Sequence, residues 1–324
     1  MIESGGSTHG TIKLFSGNGC PALAEEISQY LDVPLSGRNL IQFPNENIFV
    51  QLHESVRGQD VFLIQTTSSP VNRNIMELLI FLDALKRASP DRITVVVPYL
   101  AYGRSDRKDQ PRVPITARLL ADLIGVAGAD RYILLDLHAD QIQGFFSIPG
   151  DVMTVFPILA DYFRGRQLER AVVVSADLGF AKKARNLAAE LGLPLALVEK
   201  RRVAMDTEAL TLVGDVEGHD VIIVDEEVNT GGTVINATNI VREHGARDIY
   251  LCFAHAVLSP SAVERLRDLS LKEIVTTNSI PIPPEKLLPN LTVLSVAKLL
   301  GEVILRVHEG RSVGEVFRGY RRYH

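Results

Sequence analysis

The sequence predicts an α/β fold made of two tandem, doubly wound domains with largely parallel sheets. Continuous apolar runs are typical of strands that are buried on both faces of a parallel sheet. They occupy residues 93–97, 132–137, 172–174, 221–224 and 249–253. Amphipathic patterns predict helices between these runs, over residues 74–88, 116–126, 181–191 and 234–244. The alternation of strands with helices is characteristic of βαβ units.

The alternating pattern occurs twice along the 324 residues. It therefore predicts one domain over residues 1–150 and a second over residues 151–324. The turn-forming sequence at residues 148–151 marks the expected boundary, since Pro and Gly interrupt regular structure. With 46% hydrophobic and 23% charged residues, a chain of this length can bury a large core without disulfides or structural metals.

Composition excludes several classes of function. The formal net charge of −5 argues against general nucleic-acid binding. Only Cys20 and Cys252 occur, which excludes a disulfide framework and indicates a reducing compartment; Cys252 is expected in the core. The apolar runs are too short to span a membrane, and the first eleven residues lack the features of a signal peptide. We therefore expect a cytoplasmic protein with no membrane partner.

The most informative segment joins the strand at 221–224 to the helix that follows it. Asp225 and Glu226 end the strand, and a loop of small residues leads to the helix. The loop contains Asn229, Thr230, Gly231, Gly232 and Thr233. Backbone N–H groups in such a loop converge on an anion at the positive end of the helix dipole. Acids at the carboxyl end of a strand suit sugar hydroxyls or a metal. The alternative is an ordinary tight turn with Thr233 as the N-cap.

A second segment, residues 98–112, follows the strand at 93–97. It carries four cations within nine residues, although the protein is acidic overall. Arginine forks and a lysine point charge are suited to a polyphosphate. A solvated surface loop with internal salt bridges explains the same charges equally well.

His138 and Asp177 occupy matching positions after buried strands in the two halves. Both residue types bind divalent cations, so the pair is a candidate for one shared metal site. Each residue alone is as compatible with a structural role. Lys200 and Arg202 follow a strand expected at 195–198 and suit a mobile arm that closes on a phosphorylated substrate. A solvated charge run is the alternative for that arm, and for the cations at 182–185.

Together these segments resemble the ribose-phosphate pyrophosphokinase (PRPP synthetase) family over nearly the whole chain. The resemblance rests on Glu54-Ser55-Val56-Arg57-Gly58, on Lys108-Asp109-Gln110-Pro111-Arg112 and on Asp136-Leu137-His138-Ala139-Asp140-Gln141-Ile142-Gln143-Gly144. The resemblance implies a phosphoribosyltransferase-like fold and the transfer of a diphosphoryl group from ATP to ribose 5-phosphate, giving PRPP and AMP. It also implies a magnesium cofactor and a homo-oligomer, either a hexamer or an assembly based on dimers.

The resemblance also implies a role for each matching residue. Asp225, Glu226 and the loop from Asn229 to Thr233 would bind ribose 5-phosphate, and His138 and Asp177 would bind the metal. Lys200 and Arg202 would be the catalytic cations. The residues implied for ATP binding are Phe43, Asn45, Glu46, Asn47, Arg104, Ser105 and Asp109. Among them, Phe43, Asn45 and Asn47 match positions that hold adenine from a neighbouring subunit. Those that match a regulatory phosphate site are Arg57, Arg112, Gln143 and Ser312.

Several positions depart from the family pattern. Asn45 and Asn47 replace acids that would read the adenine, Ser105 replaces Gln, and Asn229 replaces an Asp. Phe180 stands where a glycine is common, and Glu226 is a Glu where an Asp is usual. Asp140 and Gly314 replace serines of the regulatory site. We expect activity to survive, with altered nucleotide selectivity and altered control by phosphate and ADP.

Two other functions compete with an active pyrophosphokinase. The substitutions at Asn45, Asn47 and Asn229 favour a weak or inactive paralogue that regulates a partner enzyme. Retention of Lys200 and Arg202 argues against it. A phosphoribosyltransferase that consumes PRPP would share the loop at 225–233. The 98–112 loop, followed in order by the cations at 200–202, favours the kinase.

Overall fold

The computed structural model describes residues 9–166, 168, 170–204 and 207–317, with the backbone alone described at 200–204, 207–209 and 317. The described chain divides into two compact units. The first comprises the chain up to Thr154 together with Ser279–Pro281 and the described part of Ser295–Arg318. The second comprises Val155–Asn278 and Ile282–Leu294.

The first unit is built on a parallel sheet of five strands whose spatial order follows the chain. These strands are β1 (Ile12–Ser16), β4 (Asp60–Ile64), β5 (Arg92–Val97), β6 (Arg131–Leu135) and β7 (Gly150–Met153). Strands β2 (Arg38–Gln42) and β3 (Ile48–Leu52) form a separate antiparallel hairpin. The helices are α1 (Pro21–Leu31), α2 (Val71–Arg87) and α3 (Thr116–Ala127), with a short 3-10 helix at Asp140–Phe145.

The second unit contains a sheet of seven strands, parallel except at one edge. The strands are β8 (Ala171–Ser175), β9 (Leu195–Ala204), β10 (Thr207–Val213), β11 (Asp220–Glu227), β12 (Ile249–His255), β13 (Glu273–Thr277) and β14 (Leu291–Leu294). Their order is β10-β9-β8-β11-β12-β13-β14, and only the β9–β10 pair is antiparallel. The helices are α4 (Phe156–Arg164), α5 (Ala181–Leu191), α6 (Gly232–Glu243) and α7 (Pro260–Asp268).

These elements confirm the predicted α/β class and its largely parallel sheets. Each apolar run of the sequence lies in a strand, because residues on both faces of these sheets are buried under helices. Strand β11 is buried at every position. The first core includes Phe15, Leu63 and Phe81, and the second includes Ile223 and Leu251. Cys252 is buried, as expected.

The last helix, α8 (Ala297–His308), returns to the first unit. It packs against α1, and its buried side chains include Leu300 and Ile304. Arg92 Nη2 donates a hydrogen bond to the Val307 carbonyl at 3.1 Å. The structure therefore differs from the expected domain of residues 151–324: the break falls after Thr154, and α8 belongs with the first unit, where it packs against α1.

No helix within the described part of the chain combines the length and the apolar character required to cross a bilayer.

Candidate active site

The order of strands in the second sheet reverses between β8 and β11. From β8 the chain goes to β9 on one side, and it returns to β11 on the other. In open α/β sheets, ligands bind outside the carboxyl ends of the strands at such a reversal. The acids predicted to form the site lie at this point. Asp177 follows β8, and Asp225 and Glu226 lie at the end of β11.

Asp225 and Glu226 are buried carboxylic acids, each only 7% exposed. Burial raises the pKa of Asp225 well above its usual value, and the hydrogen bond and charge of Glu226 and the charge of Asp177 raise it further. The Glu226 backbone N–H donates to Asp225 Oδ1 at 2.8 Å and partly offsets these effects. Acids held together in this way are stabilised by donors from sugar hydroxyls or by a cation.

Asp177 is exposed at a tight turn between β8 and α5. The Phe180 N–H donates to Asp177 Oδ1 at 2.9 Å, and Ser175 Oγ donates to the Asp177 carbonyl at 2.7 Å. Phe180 is buried, and its ring centroid lies 5.4 Å from that of Phe156. The bulky residue that departs from the family pattern therefore anchors the turn that presents Asp177.

The loop after β11 ends at the N-terminus of α6. Gly231 is the N-cap and has φ +79°, a conformation that favours glycine. Thr233 lies within the first turn of the helix, so the alternative that makes Thr233 the N-cap is wrong. The first backbone N–H groups of α6 have no partner within the helix, and they are the groups that bind an anion at a helix start.

Hydrogen bonds to the segment after β12 fix this loop. The Val228 N–H donates to the His255 carbonyl at 3.1 Å, and the Ser259 N–H donates to the Asn229 carbonyl at 2.9 Å. Glu227 and His255 are both buried and occupy paired positions on β11 and β12. The sequence pattern did not predict this polar pair, although Glu227 was visible as a charged residue at the end of an apolar strand.

In the first unit, the 98–112 loop and His138 lie at the carboxyl ends of neighbouring strands β5 and β6. A Cβ placed on Gly103 would be 3.4 Å from the Cβ of His138, so the loop packs against this histidine. Tyr102 has φ +63°, and its hydroxyl donates to Asn72 Oδ1 at 2.7 Å. His138 is exposed.

The predicted ATP-binding residues fall into two groups in this unit. Arg104 and Asp109 are exposed on the 98–112 loop, and Ser105 is half-buried there. Phe43, Asn45, Glu46 and Asn47 form the tip of the β2–β3 hairpin, where all four side chains are exposed. The Phe43 N–H donates to the Asn47 carbonyl at 2.8 Å, and the Phe43 and Phe49 rings lie 6.2 Å apart.

The cationic segment near residue 200 has a different form from the expected one. Strand β9 continues to Ala204 instead of ending at residue 198, since the antiparallel strand β10 pairs with it. Lys200 and Arg202 are thus within a strand, opposite Leu210 and Glu208. Their side chains lie outside the described residues.

The four residues of the predicted regulatory site are exposed on separate segments of the first unit. Arg57 precedes β4, and Arg112, with φ +65°, precedes α3. Gln143 lies in the 3-10 helix, where its Nε2 donates to the Asp140 carbonyl at 3.1 Å. Ser312 follows α8, and its carbonyl accepts from Arg306 Nη1 at 3.0 Å.

Among the described residues, no group of three or more His, Cys, Asp or Glu side chains forms a ready-made metal cage. The donors present still fit a divalent cation, because the charges of Asp177 and Glu226 both act on the buried acid Asp225. Hard oxygen ligands of this kind suit Mg²⁺, which usually keeps several waters and completes its shell with substrate phosphates.

Comparisons with known proteins agree with this geometry. Residues 12–128 match the model for the N-terminal domain of ribose phosphate pyrophosphokinase. Residues 200–318 match the phosphoribosyl synthetase-associated domain. Ribose-phosphate pyrophosphokinase from Caldanaerobacter subterraneus is 48% identical over 309 residues, 95% of this chain and 98% of the relative. The Bacillus subtilis protein of that name is 47% identical, covering 94% of this chain and 97% of the relative.

A solved structure also matches. The crystal structure of phosphoribosylpyrophosphate synthetase from Mycobacterium smegmatis superposes with a TM-score of 0.89 at 43% identity. The match covers 93% of this chain and 99% of that chain. The agreement therefore extends over both units and is not confined to one sheet.

Proposed function

The chain belongs to the ribose-phosphate pyrophosphokinase family, and we propose which of its residues carry out that family's reaction. The reaction transfers the β,γ-diphosphoryl group of ATP to O1 of ribose 5-phosphate. The bond from O1 to the β-phosphorus forms, the bond from the β-phosphorus to the α,β-bridging oxygen breaks, and AMP leaves. The observation that carries our assignment is the buried pair of acids, Asp225 and Glu226, at the reversal of strand order in the second sheet.

Asp225 and Glu226 bind the ribose hydroxyls of ribose 5-phosphate. A diol donates two hydrogen bonds to neighbouring carboxylates, which satisfies acids that burial and mutual repulsion otherwise destabilise. The raised pKa of Asp225 reflects that cost in the free protein. The ribose thus gains a fixed orientation, which presents O1 for attack.

The loop from Asn229 to Thr233 binds the 5-phosphate. The start of α6 supplies backbone N–H donors and the positive end of a helix dipole. Gly231, in its left-handed conformation, lets the backbone approach the phosphate closely. Asn229 puts a neutral side chain beside the anion and so avoids the repulsion that an acid would cause there.

An ATP-using kinase of this kind generally works with a metal cofactor, and we assign Mg²⁺ here. His138 and Asp177 are the residues that would hold it. The metal would neutralise charge on the phosphate oxygens. Asp177 is already oriented for this role by the Phe180 N–H.

The first unit binds ATP. Phe43 supplies an aromatic face for stacking on adenine, with Asn45, Glu46 and Asn47 around its edge. Arg104, Ser105 and Asp109 contact the nucleotide from the 98–112 loop. Because Asn45 and Asn47 offer amide donors and acceptors where acids would only accept, nucleotide selectivity is expected to be relaxed.

Lys200 and Arg202 are the catalytic cations that stabilise the transferring group as charge spreads over its oxygens. Their place in β9, after the apolar residues of the same strand, supports a defined approach to the phosphates. We further propose that the enzyme is a cytoplasmic homo-oligomer, a hexamer or an assembly of dimers. Arg57, Arg112, Gln143 and Ser312 form its regulatory phosphate site, and the acid at Asp140 weakens phosphate binding there.

A phosphorus NMR time course with ATP, ribose 5-phosphate and Mg²⁺, with and without added inorganic phosphate, tests this function. AMP and PRPP are expected to appear in equal amounts, and the rate is expected to depend little on phosphate. Unchanged spectra with intact binding of ATP or ribose 5-phosphate would contradict the activity and favour a regulatory paralogue. Phosphate-dependent turnover would contradict the altered regulation alone.

A further inference from the structure

The β2–β3 hairpin depends on its base for a fixed orientation. An isolated two-stranded ribbon is marginally stable in water. Leu40, Val50 and Leu52 pack against the first core, whereas Ile41 and Phe49 on the same ribbon are more than 40% exposed. The apolar contacts fix one face of the ribbon but not the direction in which its tip points. That direction requires a further contact at the base of the hairpin.

A buried carboxylate lies close to that base. Glu77, on α2, is 1% exposed. Its Oε1 accepts hydrogen bonds from the Asn18 N–H at 2.6 Å and from Gln65 Nε2 at 3.1 Å. Its Oε2 accepts from Asn18 Nδ2 at 3.1 Å. Three donors therefore satisfy a charge that would otherwise be costly to bury.

The same network fixes the loop after β1. Gln65 Oε1 accepts from the Gly19 N–H at 2.8 Å, and Gln65 Nε2 also donates to the Asn74 carbonyl at 3.2 Å. A Cβ on Gly17 would lie 2.1 Å from Gln65 Oε1. Only glycine at this position therefore lets the backbone lie so close to the Gln65 amide. The loop has little freedom to move.

Arg38, the first residue of β2, joins the hairpin to this loop. Its Nε donates to the Ser16 carbonyl, and its Nη2 lies 3.4 Å from Asn18 Oδ1. Burial lowers the pKa of Arg38, and the negative charge of Glu77 acts in the opposite direction. Asn18 thus lies between a buried anion and the cation at the hairpin base, and contacts both.

We propose that Glu77, acting through Asn18 and Arg38, is a positioning residue that orients the β2–β3 hairpin for nucleotide binding. Glu77 itself touches no substrate in this proposal. The inference rests on the proposed function, which gives the hairpin tip to adenine, and it adds the device that holds the tip in place. A fixed hairpin lowers the entropic cost of binding the base.

Steady-state kinetics of Glu77→Gln and Arg38→Ala give the first test. We expect the KM for ATP to rise about five- to tenfold in each variant, while the KM for ribose 5-phosphate changes less than twofold. The double variant is expected to be no worse than the poorer single variant, since both break one relay. Asp83→Asn is the matched control, because Asp83 lies on the same helix with an exposed carboxylate that pairs with Arg87.

A second readout reports the hairpin without catalysis. The chain contains no tryptophan, so Phe49→Trp places a single tryptophan on β3, which can be excited selectively over the tyrosines. We expect the fluorescence anisotropy of this residue to fall in the Glu77→Gln and Arg38→Ala backgrounds and to stay unchanged with Asp83→Asn. A side chain that only stabilises the unit would lower the melting temperature without this local change. Should Glu77→Gln fail to fold, Arg38→Ala decides alone, since its side chain is half-buried.

The outcomes distinguish a failure of the adenine assignment from a failure of the positioning role of Glu77. If Phe43→Ala leaves the KM for ATP unchanged, the adenine assignment of the hairpin is wrong. If Phe43→Ala raises that KM but the relay variants match Asp83→Asn in both KM and anisotropy, the positioning role of Glu77 is wrong.

Discussion

The two units present opposite chemistry at the carboxyl edges of their sheets. The second unit buries Asp225 and Glu226 within the last residues of a central strand. The first unit presents Arg104, Arg107 and Lys108 as exposed cations on a loop beyond its strand. The ribose site proposed for the second unit is therefore part of its sheet, whereas the nucleotide site proposed for the first unit consists of loops and a hairpin.

The paths of the chain explain this difference. Strand order reverses between β8 and β11 in the second sheet, so the connections that leave these two strands run in opposite directions, the arrangement at which open α/β sheets bind ligands. The first sheet follows the chain order without a reversal among its strands β1, β4, β5, β6 and β7. The groups proposed to bind the nucleotide in this unit accordingly lie on connections between strands. We expect the second unit to set affinity for ribose 5-phosphate and the first to set nucleotide choice.

The largest expected effect comes from Asp225→Asn. The variant keeps the shape of the side chain but loses a charged acceptor for the ribose hydroxyls. We predict a loss of about 10³-fold in kcat/KM for ribose 5-phosphate, measured by coupled detection of AMP. Leu178→Ala, at an exposed position near the same sheet edge, is the control. An Asp225→Asn enzyme within tenfold of the parent would contradict the assignment of the ribose site.

In each unit, an acid at the start of an interior strand forms an ion pair with an arginine. The two ion pairs differ in burial. Asp60 is fully buried and binds Arg92 through two hydrogen bonds of 2.9 and 2.5 Å. Asp220 binds Arg247 through two bonds of 2.8 Å, but that arginine is half exposed. Asp60→Asn should lower the free energy of unfolding by about 3 kcal/mol, and Asp220→Asn by about 1 kcal/mol. Urea unfolding measures both, and equal losses would contradict the comparison.

Phe43→Ala tests the exposed half of the site. Removing an aromatic ring that stacks on a base costs about 1–3 kcal/mol, so the KM for ATP should rise about tenfold or more. The KM for ribose 5-phosphate should stay within twofold, because Phe43 belongs to the first unit only. Ile41→Ala, on the same exposed hairpin, serves as the control. Parallel changes in both KM values would show that the two halves are not independent.

The smallest effect is a pH dependence of stability with opposite signs at the two ends of β11. The raised pKa of Asp225 means that the folded state holds a proton that the unfolded state loses, so its contribution to stability falls as pH rises. The hydrogen bond from Arg247 lowers the pKa of Asp220, so its contribution is lost as pH falls. As the pH rises, the melting temperature of Asp225→Asn should therefore increase relative to that of the parent. The melting temperature of Asp220→Asn should decrease relative to that of the parent. Melts at pH 5, 6.5 and 8 check the sign for Asp225. Melts at pH 2.5, 3.5 and 5 check the sign for Asp220, because its pKa is lowered from an ordinary value of 3.8 and its contribution is lost only below that range. Curves parallel to the parent in the respective range would contradict each sign.

Local sequence patterns were sufficient to predict much of the fold. The helix expected over 181–191 matches α5 residue for residue, and the acids after residue 224 were placed correctly at a strand end. These features depend on hydrophobic period and on glycine-rich turns, which act over a few residues. The roles given to those residues stay predictions, tested by the variants above.

Other features depend on contacts between distant segments, and the sequence analysis did not find them. The path of α8 back to the first unit is one case. An amphipathic pattern predicts a helix but does not indicate which unit the helix packs against. The β2–β3 hairpin is another, because its short strands are partly exposed and carry polar residues beside the apolar ones. Glu77 was visible only as a polar residue in a helix, and its burial among Asn18 and Gln65 needed the tertiary structure.

Calorimetric titration of ribose 5-phosphate in the presence of Mg²⁺ tests the central claim most directly. The account predicts that Asp225→Asn abolishes measurable binding, whereas Phe43→Ala binds ribose 5-phosphate as the parent does. Binding by Asp225→Asn with parental affinity, or its loss in Phe43→Ala, would contradict a ribose site built into the second sheet alone.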